Sequence, residues 1–320
     1  MSSPAPRLPK VLVTIKSPSE HLAPLDGLAE VVMPDWGVAA CPRSEVLSLI
    51  GDCEAVISQG ELRVDGELLD AAPRLRMVAN AAMGIDNLDL AELARRGIAA
   101  TNTPDAFALS TADHTMGLLL ALTRRIAEGD RYVRTGDWTR DGRQPLRWES
   151  RLAGAMTAGL VGYGRIAKLV ETRARAFGMT VLHTRATPSD DPNFRPLDDL
   201  LKSSDVVILL VPLSERTRSL IGAPQLASMS PGSFLINVAR GPVVDESALI
   251  EALASGHLGG AALDVFAEEP EVPSALRQFP NVVLTPHTGG ATREERRRGR
   301  LEAAAEVARF LSGEPLLNPC

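Results

Sequence analysis

Short apolar runs alternate with helix-like segments along nearly the whole chain, and this alternation restricts the fold more than any other feature. Apolar runs bounded by turn residues suit strands buried on both faces of a parallel sheet, and amphipathic stretches between them suit crossover helices. Residues 11–15, 29–33, 54–57, 75–79 and 97–100 read as five strands, with helix-like stretches at 43–50, 67–72 and 89–95. A break falls at Thr101-Asn102-Thr103-Pro104, because proline disfavours helix at the residue before it and suits a first turn. The pattern then predicts one long helix from Asp105 to Glu128, apolar along Met116, Leu119 and Leu120, and a loop-rich stretch over 129–152 that carries Trp138 and Trp148. A second α/β series runs from about Met156 to Thr285, and 291–312 is helical again, with Gly313 and Pro315 as stop signals.

The chain has 320 residues, enough for two domains with separate cores. A net charge of −6 offers no attractive field to nucleic acid or anionic lipid, so neither is expected as a partner. Arg296, Arg297, Arg298 and Arg300, following Glu294 and Glu295, read as a solvated, internally paired helix face. Cys41, Cys53 and Cys320 have neither disulfide-framework nor metal-ligand spacing. The first apolar run, Val11 to Ile15, is too short for a secretory leader and no later run approaches membrane-spanning length, which leads to the expectation of a cytoplasmic protein.

The strand-like Thr157–Val161 enters Gly162-Tyr163-Gly164-Arg165-Ile166-Ala167, a G-x-G-x-x-A turn followed by helix-compatible residues to Phe177 and a turn at Gly178. Gly162 permits a tight turn, Gly164 lets the backbone approach a pyrophosphate, and Ala167 allows close helix–strand packing. The helix N-terminus then offers N–H groups to the phosphates. Dinucleotide sites of this kind usually place an acidic residue after the second strand to bind the ribose 2′-hydroxyl. Here Thr180–His183 is followed by Thr184, Arg185, Ala186 and Thr187, with no Asp or Glu at 182–187. A cation at Arg185 suits a 2′-phosphate, which favours NADP(H), with NAD(H) open; the plainer alternative is an exposed arginine paired elsewhere.

Three further strand ends carry reactive groups: Ser233–Ala239 leads to Arg240, Gly260–Leu263 to Asp264 and then Glu269, and Asn281–Thr285 to His287. In a parallel sheet these are all carboxyl ends, where open α/β sheets bind ligands. Arg240 can clamp a carboxylate and polarise a neighbouring carbonyl, His287 can deliver a proton to the forming alkoxide, and Glu269 can favour the charged imidazole. His21, His114, His183 and His257 show no such surroundings and read as structural or surface groups.

The string Asn237-Val238-Ala239-Arg240-Gly241-Pro242-Val243-Val244-Asp245-Glu246, then Gly259–Phe266, then Thr285-Pro286-His287 resembles the D-isomer-specific 2-hydroxyacid dehydrogenases, with 29 positions from Arg240 to Glu269 and 18 from Glu269 to His287. The resemblance covers nearly the whole chain. It implies two Rossmann/flavodoxin-like α/β domains with parallel sheets and an active-site cleft between them. Residues 1–102 with 291–320 would bind substrate and 103–290 the dinucleotide. It further implies catalysis by Arg240, Glu269 and His287, and cofactor contacts at Arg165, Ile166, Val238, Ala239, Arg240, Asp264, His287, Gly289 and Gly290. Asn80–Asn87 resembles the loop whose N–H groups grip a substrate carboxylate, at Met83 and Gly84, with Arg240 and His287 as the other substrate contacts.

The similarity is strongest to glyoxylate/hydroxypyruvate and hydroxyphenylpyruvate reductases, around Arg131–Arg134, Arg185, Arg240–Pro242 and Pro315–Leu317. It implies reduction of a small 2-keto acid to a D-2-hydroxy acid, and a homodimer in which the segment around Trp138 reaches the partner's pocket. Gln59 lies where phosphoglycerate dehydrogenases present an arginine to phosphate, which argues against a phosphorylated substrate. Met83 and the pair Gly289-Gly290 depart from common versions and leave the substrate open. The alternatives are a reductase of bulkier keto acids such as hydroxyphenylpyruvate and a dinucleotide-sensing protein like the corepressors that share the fold.

Overall fold

The computed structural model describes residues 7–38 and 40–320, which gather into two units: the described residues up to Phe107 with Ala291–Cys320, and Ala108–Gly290. In the first unit β1 (Lys10–Val13), β2 (Glu30–Val32), β3 (Ala55–Ser58), β4 (Met77–Asn80) and β5 (Ala99–Thr101) form a sheet ordered β2-β1-β3-β4-β5, every pairing parallel. All four residues of β3 and of β4 are buried, so these strands read as continuous apolar runs rather than alternating ones.

One face of this sheet is packed by the helices Arg43–Leu49, Gly66–Ala71 and Leu90–Arg95, whose Val46, Leu68 and Leu93 meet Leu12, Val56 and Val78. Asp65 and Asp89 cap the second and third of these helices, accepting hydrogen bonds from Leu68 N (3.2 Å) and Glu92 N (3.0 Å). The other face is covered by the C-terminal helix Arg293–Leu311, which sets Ala303, Ala304 and Val307 against Val11, Ile57 and Met77. The buried Glu306 of that helix accepts hydrogen bonds from the N–H groups of Leu317 and Asn318, and Cys320 N donates to Ala100 O, so the chain end is tied beside β5.

In the second unit β6 (Thr157–Val161), β7 (Thr180–Thr184), β8 (Val206–Leu209), β9 (Phe234–Asn237), β10 (Gly260–Leu263) and β11 (Val282–Leu284) form a parallel sheet ordered β11-β10-β9-β8-β6-β7. Helices Ala108–Thr123 and Arg165–Ala176 cover one face, and Leu197–Ser203, Ala223–Ser228 and Glu246–Ala254 the other. The strand order reverses between β6 and β8, which opens a crevice at their carboxyl ends.

Three expectations are corrected. The single helix expected over 105–128 is two, Ala108–Thr123 and Ile126–Arg134. They break at Arg125, whose backbone is left-handed (φ 54°) and whose guanidinium pairs with Glu128 (2.7 Å) and donates to Arg147 O. The stretch 129–152 is correspondingly less loop-like, holding the end of that helix, a short helix Asp137–Asp141 and a 3-10 turn at Leu146–Trp148. In the C-terminal helix Arg296, Arg297 and Arg298 are exposed, and Arg298 pairs with Glu302 (2.7 Å), but Arg300 is half-buried and Glu295 is buried, accepting the Phe107 N–H. The three cysteines are free thiols. Among the described residues no helix is long and apolar enough to cross a membrane, and no group of His, Cys, Asp or Glu is placed to hold a metal ion.

Candidate active site

Gly162 leaves β6 with a φ of +98°, and a Cβ there would lie 2.8 Å from Leu210 O. Positive φ and backbone contact together demand glycine. Gly164 caps the helix Arg165–Ala176, and a Cβ built on it meets nothing within 4 Å, so the space before the helix N-terminus is open. No side chain caps this twelve-residue helix. Its first N–H groups therefore face the crevice at the strand-order reversal, an arrangement that fits the pyrophosphate of a dinucleotide. Ala167 is fully buried in the helix–sheet core, as close packing requires. Ile166 is half-buried and Arg165 exposed at the same turn.

Arg185 directly follows β7, is exposed, and makes no ion pair with any described residue. His183, one residue inside the strand end, is buried and stacked on Tyr163 (centroids 3.6 Å apart), a structural role. Burial first, and then the Arg185 charge, hold its imidazole below the usual range against the pull of Asp191 and Glu171.

At the end of β9 the buried Asn237 folds the chain sharply: its Oδ1 accepts from Ala239 N (3.0 Å) and its Nδ2 donates to Arg240 O (3.0 Å). Val238 and Ala239 are buried, and Arg240 Nη1 donates to Ala239 O (2.8 Å). The next residue, Gly241, is pressed against the loop after β10; a Cβ there would stand 1.9 Å from the carbonyl carbon of Phe266. Phe266 N in turn donates to Glu269 Oε1 (3.0 Å). Two loops from neighbouring strands are thus fixed to each other where they carry Arg240 and Glu269.

Glu269 Oε2 lies 2.8 Å from Nδ1 of His287 and accepts its proton. That bond assigns the Nδ1–H tautomer and leaves Nε2 for a reacting group. Burial pushes the Glu269 carboxyl up, but the His287 bond and charge, the Phe266 N–H and the Arg240 charge outweigh it, and the group titrates below the ordinary carboxylate range. His287 itself has a left-handed backbone (φ 50°), which a residue with a Cβ adopts only under constraint. The constraint is Asp264, buried at the end of β10: its carbonyl receives His287 N (2.8 Å), and its carboxylate receives Thr285 Oγ1 (2.6 Å), Thr288 N (2.8 Å) and Gly289 N (2.8 Å). Asp264 was expected as a cofactor contact. Its carboxylate points into the Pro286–Gly289 turn and holds it. Gly289 lies tight on this carboxylate, a Cβ there standing 3.1 Å from Oδ2, and Gly290 follows at the end of the unit.

One participant was missed. His114, on the helix Ala108–Thr123, places Nε2 3.2 Å from Asp264 Oδ1 and 3.1 Å from Thr285 Oγ1. No local pattern marks it, since its partner lies 150 positions away. Burial raises the Asp264 carboxyl, and the bonds from His114, Thr285, Thr288 and Gly289 more than reverse that, so it stays ionised below the usual range.

In the first unit the loop after β4 is shaped by asparagines. Asn80 Nδ2 donates to Gly84 O (2.7 Å), Asn102 Nδ2 to Met83 O (2.8 Å), and Asn87 Nδ2 to Leu62 O (2.9 Å). With both carbonyls taken, the N–H groups of Met83 and Gly84 are left without an acceptor among the described residues. Adjacent N–H groups of this kind form an anion-accepting concavity.

Residues 116–289 match the family described as D-isomer specific 2-hydroxyacid dehydrogenase, NAD binding domain. The chain belongs to that family. It is 43% identical to a glyoxylate reductase of Pyrococcus furiosus over 95% of this chain and 91% of the relative, and 42% identical to one of Thermococcus gammatolerans over 96% and 94%. Among solved structures it superposes with a TM-score of 0.85 on the NADPH-dependent glyoxylate/hydroxypyruvate reductase of Sinorhizobium meliloti in complex with NADP and malonate, at 34% identity over 98% of this chain and 96% of that one. This D-2-hydroxyacid dehydrogenase is an NAD(P)-dependent oxidoreductase acting on keto acids, which sets aside the reading as a dinucleotide-sensing binding protein.

Proposed function

We propose that the enzyme reduces glyoxylate or hydroxypyruvate to a D-2-hydroxy acid at the expense of NADPH. The observation that carries this reading is the Glu269–His287 pair, 2.8 Å apart, on the sheet edge that also bears Arg240 and the glycine turn at 162–164. When bound, the dinucleotide supplies the hydride that reaches the carbonyl carbon. Arg240 polarises the carbonyl oxygen and draws off its developing charge, a contribution of about 10² to 10³ in rate for a well-placed donor. His287, held by Glu269 through Nδ1, gives its Nε2 proton to that oxygen. The N–H groups of Met83 and Gly84 take the substrate carboxylate. Arg165, Ile166, Val238, Ala239, Gly289 and Gly290 contribute the remaining dinucleotide contacts.

The preference for NADPH rests on Arg185, a cation with no ion pair among the described residues at the position where an acidic residue would select the 2′-hydroxyl. The homodimer reading is supported by Ile126, Val133, Trp138, Leu146 and Leu152, large apolar side chains exposed along one segment of the second unit, with Leu146 at 80%. The test is a matrix of NADPH and NADH oxidation against glyoxylate, hydroxypyruvate and hydroxyphenylpyruvate on purified protein. Fastest turnover of a small keto acid with NADPH is expected; absence of turnover on every one overturns the reading.

A further inference from the structure

Arg300 stands midway along the C-terminal helix with its Nε buried and without a hydrogen-bond partner. Among the described residues its one hydrogen bond runs from Nη2 to Gln59 Oε1 at 3.5 Å, the outer limit of such a bond, and it makes no ion pair. Burial and the neighbouring Arg296 disfavour its charge, and only Glu61 favours it. The Glu61 carboxylate is already engaged by neutral donors, Thr14 Oγ1 (2.6 Å) and Gln59 N (2.8 Å). Beside Arg300 lies His21, whose Nδ1 is likewise buried with no partner and whose imidazole is held down by burial and by the Arg300 charge. Two buried nitrogens, Arg300 Nε and His21 Nδ1, thus sit in one place with no hydrogen-bond partner among the described residues. Natural structures seldom leave such groups unsatisfied, and a half-buried guanidinium with no carboxylate in direct ion-pair contact is especially costly.

Their place in the fold gives them a purpose. In the first sheet the strand order reverses between β1 and β3, and ligands of open α/β sheets enter at the carboxyl ends of strands at such a reversal. Thr14 and His21 follow β1, and Gln59 and Glu61 follow β3. The loop bearing Met83 and Gly84 follows β4, whose last residue, Asn80, is in register with Ser58 at the end of β3. Gly60 and Ala82 adjoin, a Cβ on Gly60 lying 3.6 Å from the Ala82 methyl, so the Gln59 turn and the carboxylate-binding loop are side by side.

We infer that Arg300, with His21 and Gln59, forms a second anion subsite beside the Met83–Gly84 loop, which receives the far carboxylate of a 2-keto dicarboxylate. The inference rests on the proposed reductase function and extends its substrate class. Arg300 supplies from the C-terminal helix the positive charge that Gln59 lacks, and a carboxylate is the acceptor that a guanidinium fork and an adjacent imidazole are shaped to share.

The experiment compares kcat/KM for mesoxalate, the smallest 2-keto dicarboxylate, with that for glyoxylate, in the intact enzyme and in Arg300→Met and Arg300→Lys. The mesoxalate-to-glyoxylate ratio is expected to fall at least tenfold in Arg300→Met and to recover in part in Arg300→Lys, which keeps the charge but loses the fork. An unchanged ratio in both variants overturns the subsite, as does an intact enzyme that reduces glyoxylate but not mesoxalate. Should Arg300→Met not fold, the ratio in Arg300→Lys and in His21→Gln decides, and a fall in neither refutes the assignment. An intact enzyme that reduces no keto acid overturns the reductase reading itself, a result separable from failure of the subsite alone.

Discussion

His114 Nε2 lies 3.2 Å from Oδ1 of Asp264, the carboxylate that also receives the N–H groups of Thr288 and Gly289. The imidazole at 287, the proposed proton donor, is therefore held in its left-handed backbone by a buried anion on the neighbouring strand, with a second imidazole behind it. Chemistry and stability meet in one carboxylate.

Asp264→Asn removes the charge from that network and turns its NH2 donor toward one of the two N–H groups, Thr288 on the Oδ1 side or Gly289 on the Oδ2 side. Hydrogen bonds to a charged group contribute about 1.5–3 kcal/mol, and a loss of stability of that order is expected by denaturant unfolding, with kcat falling as the turn loosens. Because the folded-state carboxyl is depressed, its contribution is fully present above the ordinary carboxylate range and disappears as pH falls through the lowered value. The variant should accordingly lose the acid-side part of the stability profile; an identical profile in variant and parent refutes the role.

Glu269→Gln keeps the shape of the side chain and deletes its charge. The alkaline limb of the reduction rate should move to lower pH, since the imidazolium loses its counter-ion, while the KM for the dinucleotide changes little. The lowered carboxyl range of the native Glu269 also means that the pair stays intact on acidification until pH drops below the usual carboxylate titration. A coincident alkaline limb in pH–rate curves of the two proteins would detach Glu269 from proton delivery.

Arg185→Asp replaces an exposed cation by the acid that a 2′-hydroxyl prefers. kcat/KM with NADPH should fall by at least tenfold relative to kcat/KM with NADH. Equal changes with the two cofactors would show that the guanidinium does not meet the 2′-phosphate.

Gly162→Ala sets a methyl 2.8 Å from Leu210 O on a backbone with φ +98°. Strain of this kind costs on the order of 1–3 kcal/mol, and relief requires opening the turn. Loss of dinucleotide binding by titration calorimetry is expected beyond any change in melting temperature. Gly164→Ala, whose Cβ meets no protein atom, should fold normally and still bind less tightly, because the methyl enters the space before the helix.

The two sheets were legible because buried parallel strands leave uninterrupted apolar runs, and the run at Thr157–Val161 ends on a glycine turn whose steric demands are written in residue type. The placement of Arg240, Glu269 and His287 on one edge was legible for a related reason: each stands a few positions past such a run, and parallel strands bring their carboxyl ends to one edge. Arg125 shows where legibility stops. An arginine is an ordinary helix former, and the left-handed turn it adopts is held by Glu128 and by the carbonyl of Arg147, a partner 22 positions on. The surroundings of His114 and Arg300 were illegible likewise. The first looked like one more structural histidine and the second like part of a solvated basic face, because what surrounds each is supplied by distant strands rather than by neighbours in the chain.

The helix Arg293–Leu311 covers a sheet whose strands all lie within the first 101 residues. On the ribosome, β1, β3 and β4 are made early, yet the apolar face that this helix covers waits until residues 293–311 have been made. The unit that begins at Ala108 meets no such delay, as all its strands and covering helices emerge in one uninterrupted stretch. A chain that stops anywhere upstream of Arg293 therefore lacks the cover of that face and presents an open, sticky sheet for chaperones to shield.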